Sequence, residues 1–159
     1  MAIHKIHIED FDIVDYNLIA IHTSLEDYRL AFKINQQLAI SLSKNLDEIT
    51  IQFKNQSVHF SRFTFLNQNN MMVWDLIQNK QETESKVESY TANLFENKKI
   101  SNQVALINEL KKVDYFLKIE QDNQVNISDI ITRINNIDGV NTSYEMDVNA
   151  IKSKNNLIF

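Results

Sequence analysis

The stretch Ile107-Asn108-Glu109-Leu110-Lys111-Lys112-Val113-Asp114-Tyr115-Phe116-Leu117-Lys118-Ile119 decides how this chain is read. From Val113 onward alternate positions are apolar, so Val113, Tyr115, Leu117 and Ile119 share one face of a strand. A turn at Gln121-Asp122-Asn123 leads to a helix with Ile127, Ile130, Ile131, Ile134 and Ile137 along one side. Gly139 stands where a helix C-terminus favours positive φ, and Val140 to Val148 alternates again as a final strand. The unit is strand–helix–strand.

The same order opens the chain. Tyr16 to His22 reads as a buried strand that stops at Thr23-Ser24. Ser24 is the expected N-cap of a helix over Leu25 to Ala39, with Leu25, Tyr28, Phe32 and Leu38/Ala39 as its apolar stripe. Asp27 in the first turn suits the positive end of the helix dipole. Val14-Asp15-Tyr16-Asn17-Leu18 is echoed by Val113-Asp114-Tyr115-Phe116-Leu117, which suggests two similar halves sharing one sheet. Between the halves, Ile49, Ile51 and Phe53 alternate, Asn55-Gln56 makes a tight turn, and Val58 to Leu66 and Met71 to Gln78 continue as antiparallel strands. Phe60, Phe63 and Phe65 fit no single alternation, which predicts a bulge or a strand apolar on both faces.

The fold class is α+β: one mostly antiparallel sheet of about six strands with two helices packed on one face. The predicted domain covers 1–148, with 80–102 a long polar loop and 149–159 a flexible tail. A chain of 159 residues is the size of one domain and buries about two thirds of its unfolded surface.

Composition excludes more than it selects. With no cysteine there are no disulfides, thiolate metal sites or cysteine nucleophiles. One glycine and no proline leave little from which to build phosphate-cradling or nucleophile-elbow turns. Turns must then use Asn and Asp, which tolerate left-handed backbone. The net charge of −5 argues against a broad nucleic-acid-binding face. The N-terminus lacks a signal-peptide pattern and no long apolar run is present, so the expected location is the cytoplasm, away from any membrane.

The Ile107–Tyr115 segment resembles the signature of the IPExxxVDY family, small intracellular proteins of Bacteroidota-type bacteria, with Asn108 in place of the signature proline. Asp27-Tyr28-Arg29, Trp74 with Asp75, and Asn79-Lys80 are similar to further features of that family. The family has no established activity, so the resemblance implies no chemistry. Losing the proline frees the approach to the strand, and Val104 to Leu110 is expected to form a short helix.

Candidate chemistry is sparse. His4 and His7, near Glu9 and Asp10, fall on opposite faces of a strand, which is poor metal geometry. His22, Ser24 and Asp27 could be assembled into a base or anion site, but Ser24 is needed as a cap. His59 and Arg62 lie among aromatics. No catalytic, metal or cofactor residues are assigned. The residues carrying interaction or signature value are Glu109, Asp114, Tyr115, Asp27, Arg29 and Trp74. Asp114 is expected to fix conformation, through Lys112 or a backbone amide, rather than to be read from outside.

The leading functional expectation is a non-enzymatic cytoplasmic interaction or scaffold module whose partner is another protein or a second copy. The alternatives are a small-molecule sensor, since the C-terminal strand–helix–strand unit is loosely similar to ACT-like modules, and an RNA-associated accessory role. The last would require basic residues to segregate in three dimensions.

Overall fold

The computed structural model describes residues 16–86, 99–120 and 125–159. Its elements are β1 (Tyr16–Thr23), α1 (Asp27–Leu38), β2 (Ser43–Lys44), β3 (Ile49–Phe53), β4 (Gln56–Phe60), β5 (Arg62–Asn67) and β6 (Met72–Gln78). They continue as β7 (Lys80–Lys86), β8 (Lys99–Ala105), β9 (Tyr115–Glu120), α2 (Ile127–Asn135) and β10 (Val140–Met146). The principal sheet has six strands in the order β10-β1-β9-β6-β5-β2, every neighbouring pair antiparallel. The α+β architecture follows.

Strands β9 and β10 both run antiparallel to β1, so they are parallel to each other with β1 between them. Helix α2 makes that crossover, and α1 connects β1 with β2 at the far edge. Both helices pack on one face, where Leu30, Ala31, Ile34, Ile130 and Ile134 meet Ile19, Ile21, Leu76, Leu117 and Ile119. The two strand–helix–strand units are therefore present. The sequence echo within them does not superpose, however. Leu18 faces the layer opposite the helices, whereas its counterpart Leu117 faces the helices. A one-residue offset reverses every side chain in a strand, so the echo is not a structural equivalence.

The sheet is covered on its second face as well. Leu18, Ala20, Ile77 and Phe116 are packed there by Val58, Phe60, Val104, Leu106, Ile107, Val113, Ile151 and Leu157. The β3–β4 and β7–β8 hairpins form separate two-stranded sheets in this layer. That resolves the Phe60, Phe63 and Phe65 pattern. The chain leaves one sheet at Ser61 and joins the other, putting Phe60 in the second-face core and Phe63 in the helix-face core. Ile49–Phe53 is therefore not a strand of the principal sheet, whose edge is the two-residue β2. Lys54 and Asn55, both at positive φ (46° and 62°), turn the β3–β4 hairpin.

Several expectations are corrected. The 80–102 polar loop is replaced by two paired strands, β7 and β8, with residues 87–98 outside the described residues. Their sequence has no apolar alternation because backbone pairing, in register from Lys80↔Ala105 to Lys86↔Lys99, defines them. The 149–159 tail is docked: 3-10 turns at Val148–Ala150 and Lys154–Leu157 bury Val148, Ile151 and Leu157. Val104 to Leu110 is not one helix, since only Asn108–Leu110 makes a 3-10 turn and Val104 belongs to β8. Ser24 does not cap α1. The cap position is Glu26, while Thr23 Oγ1 accepts the Leu25 N–H and Asp27 Oδ1 accepts the Tyr28 N–H.

Of the expected α1 stripe, Leu25 and Leu38 pack against the helix-face core but the aromatic pair does not face it. Leu30, Ala31 and Ile34 are buried, while Tyr28 and Phe32 stand 59% and 60% exposed. In α2 the isoleucine stripe packs as expected. Gly139 (φ 96°) turns the chain into β10, and a Cβ there would approach Leu25 Cδ2 to 2.9 Å.

Candidate functional site

The signature segment is organised around one buried residue, Asn79, at the point where the chain passes from β6 to β7. Its Nδ2 donates to Leu110 O and Val113 O, and its Oδ1 accepts the Ile107 N–H, all at 2.9 Å. Its backbone N–H donates to Asp114 O (2.9 Å) and its carbonyl accepts the Leu106 N–H (2.8 Å). Asn79 is fully buried, so these bonds hold residues 106–114 in place without help from solvent. The segment is a loop wrapped on an amide.

Asp114 completes the wrap. Its Oδ1 takes Lys80 Nζ at 2.7 Å and its Oδ2 takes the Thr23 N–H at 2.9 Å. Lys80 Nζ also donates to Lys112 O (3.0 Å). The carboxylate thus ties the end of β1 and the start of β7 to the loop before β9. The backbone-amide partner is the expected kind; the cation is Lys80 rather than Lys112. Glu109 faces elsewhere and accepts both the N–H (2.8 Å) and the hydroxyl of Ser153 in the docked tail. Those hydrogen bonds hold its carboxyl down to about 2. Glu109 and Asp114 therefore perform separate structural tasks and do not form one exposed surface.

The other signature candidates divide in the same way. Trp74 is buried in the helix-face core and Arg29 is exposed on α1. Tyr115 is buried, and its hydroxyl donates to Leu25 O (3.0 Å). Burial, reinforced by the charges of Asp27 and Asp114, pushes that phenol up to about 12, so it remains a donor at neutral pH.

Tyr115 and Asp27 also line a polar cleft of about 450 Å³. Glu26, Asp27 and Tyr28 contribute from the start of α1, Lys44 from β2 and Glu48 from the loop before β3. His59 from β4, Ser61 from the link to β5, Gln78 from β6 and Gln81 from β7 complete the lining. Three carboxylates thus face one lysine, which lies 3.9 Å from Asp27 and 3.7 Å from Glu48. Ser61 is buried and its backbone is held by Gln78, yet its Oγ has no hydrogen-bond partner among the described residues. A buried hydroxyl without a partner costs stability, which makes Ser61 the exception to be explained in this cleft.

The His22, Ser24 and Asp27 grouping is not assembled. His22 Nε2 shares a hydrogen bond with Tyr144 OH (3.1 Å) and the rings stack, while Ser24 is exposed. His59 Nδ1 pairs with Thr50 Oγ1 (3.0 Å) across the β3–β4 hairpin. His4 and His7 lie outside the described residues. Among the described residues no three His, Asp or Glu side chains gather closely enough to hold a metal ion. No described helix is long and apolar enough to cross a membrane.

Sequence reasoning identified Asp27 and Tyr115 but missed Ser61, Lys44, Glu48 and the outward aromatic pair. A second apolar stripe in α1, Leu30-Ile34-Leu38 at four-residue spacing, was the available signal for that pair. No family model, curated protein or solved structure matches the chain.

Proposed function

We propose that this chain is a non-enzymatic protein-interaction module whose docking face is the α1 side of the polar cleft. One observation carries the reading: Tyr28 and Phe32, one turn apart on α1, are each more than half exposed, although an aliphatic stripe already fixes the helix to the sheet. Tyr28 lines the cleft itself, and Leu46, 97% exposed, lies between the cleft residues Lys44 and Glu48 in sequence. Exposed aromatic side chains beside a concave polar site are what protein interfaces concentrate, because rings bring large contact area at low entropic cost. The resemblance of the 107–119 segment to IPExxxVDY proteins is compatible with this reading. In that view the segment supplies the scaffold on which the cleft is built.

The test is affinity capture from native extract with the wild type and with a Tyr28→Ser/Phe32→Ser variant of unchanged melting temperature. A partner held by the wild type and lost by the variant is the expected result. A wild type that stays monomeric at high concentration and retains no partner would overturn the reading. The partner-free Oγ of Ser61 favours a second reading, in which the cleft senses a small polar ligand. A specific ligand would then raise the melting temperature of the wild type, by mass action, more than that of a Ser61→Ala variant.

A further inference from the structure

We infer that the cleft receives a lysine or arginine side chain from a basic segment of the partner, an inference that rests on the docking face proposed above. Glu26, Asp27 and Glu48 outnumber Lys44 around the cleft, and their separation argues against a metal ion, which requires convergent ligands. Lys44 does not neutralise the site. It is half-exposed and sits 3.7–3.9 Å from its two carboxylates, longer than a strong charge-assisted hydrogen bond. An elongated cation on an alkyl stem fits such a site better than a point charge. Its stem can lie along Tyr28 while its head is shared among separated carboxylates.

The second observation is independent of charge. Ser61 lines the same cleft, and its buried Oγ, with no hydrogen-bond partner among the described residues, leaves a spare acceptor at the cleft wall for the N–H of an ammonium or guanidinium. The exposed Tyr28, Phe32 and Leu46 then suit apolar residues flanking the cation. A second copy of this chain is a poor occupant because each copy carries a net charge of −5. Nucleic acid is excluded from this face by the same carboxylates. A basic, partly apolar peptide segment is the occupant that satisfies all three features.

The experiment titrates short peptides alternating Lys or Arg with Leu, their Glu counterpart, and N-acetyl-lysine amide into the whole chain while following the amide signals of Ser61 and Gln81. Saturable shifts with the Lys and Arg peptides, and none with the Glu peptide, are expected. A Glu26→Gln/Glu48→Gln variant of unchanged melting temperature should bind about two- to fivefold more weakly per carboxylate removed, as exposed ion pairs do. Equal shifts with the Glu peptide, shifts confined to other surfaces, or no shifts would overturn the inference. So would binding of N-acetyl-lysine amide as tight as that of the peptides, which would make the ligand a small amine. Partner capture abolished by Tyr28→Ser/Phe32→Ser but indifferent to Glu26→Gln/Glu48→Gln would sink this inference and leave the docking face standing.

Discussion

Replacing Asn79 by Ala removes three hydrogen bonds, two of them fully buried, from a side chain with no exposed surface. The partners decide the magnitude. Ile107 N–H and Val113 C=O are buried and have no route to solvent, whereas Leu110 is half-buried and can turn its carbonyl to water. An orphaned buried peptide group costs about 1–3 kcal/mol, so two of them cost about 2–6 kcal/mol, and we expect about 3–4 kcal/mol. For a domain with a total stability of about 5–15 kcal/mol this is a large fraction, equivalent to a fall in Tm of roughly 6–16 °C. Urea unfolding followed by fluorescence of the single tryptophan measures it. Amide exchange should localise the added opening to residues 106–114.

Asn79→Leu keeps most of the volume and restores none of the bonds. It is predicted to fall with Ala, because the cost lies in the peptide groups left behind rather than in a cavity. A Leu variant close to wild type, or an Ala variant that loses less than about 1 kcal/mol at unchanged m-value, would refute this account of the loop.

Asp114→Ala should destabilise by about 2 kcal/mol and Lys80→Ala by about 1 kcal/mol, with the double mutant less than additive because the two share one contact at 2.7 Å; strict additivity in urea melts would count against the clasp. The Glu109 carboxyl is depressed to about 2, so the stability it contributes is present above the ordinary Glu pKa of about 4.3 and is lost as pH falls from there toward 2. Glu109→Gln should accordingly differ from wild type at neutral pH and converge with it at the acid end, read by proteolysis or amide exchange of residues 149–159. Gly139→Ala should cost about 1–3 kcal/mol, since φ is 96° and the new methyl meets the Leu25 side chain at 2.9 Å. Leu25→Ala in the same background removes the contact but not the backbone strain, so thermal melts should show only partial relief.

How much of this was legible depends on whether the deciding interaction is local. Helix α2 could be read because Ile127, Ile130, Ile131, Ile134 and Ile137 leave it one apolar face to bury. Strand β9 could be read because Tyr115, Leu117 and Ile119 alternate. In α1 two stripes compete, Tyr28–Phe32 and Leu30–Ile34–Leu38, and the choice is made by the sheet it packs on. The aliphatic stripe of α1 enters the helix-face core, and the aromatic pair is turned outward. Strand β7, Lys-Gln-Glu-Thr-Glu-Ser-Lys, has no periodic apolar face, so nothing local marks it as a strand and its pairing with β8 defines it. The cleft shares that origin. Ser61 faces it only because the chain changes sheets there, and Gln81 only because β7 exists.

The signature segment and the cleft differ in how completely their polar groups are used. Around Asn79 the side-chain amide is matched, Asp114 has a partner on each oxygen, and Glu109 is taken by Ser153. Groups satisfied inside the fold gain little from a partner, since a new bond must first break an old one. In the cleft and on the α1 face beside it the balance is reversed: a buried hydroxyl without a partner among the described residues, three carboxylates against one lysine, and aromatic rings left in solvent. Affinity can come only from capacity of that second kind. Substitutions at Asn79, Asp114 and Glu109 should therefore lower stability and alter binding only as far as they unfold the chain. Substitutions at Tyr28, Phe32 and Glu48 should do the opposite, leaving stability within about 0.5 kcal/mol of wild type while weakening partner capture. A loss of capture in Asp114→Ala at a temperature where the chain is still folded would break this separation and return the signature to the binding surface.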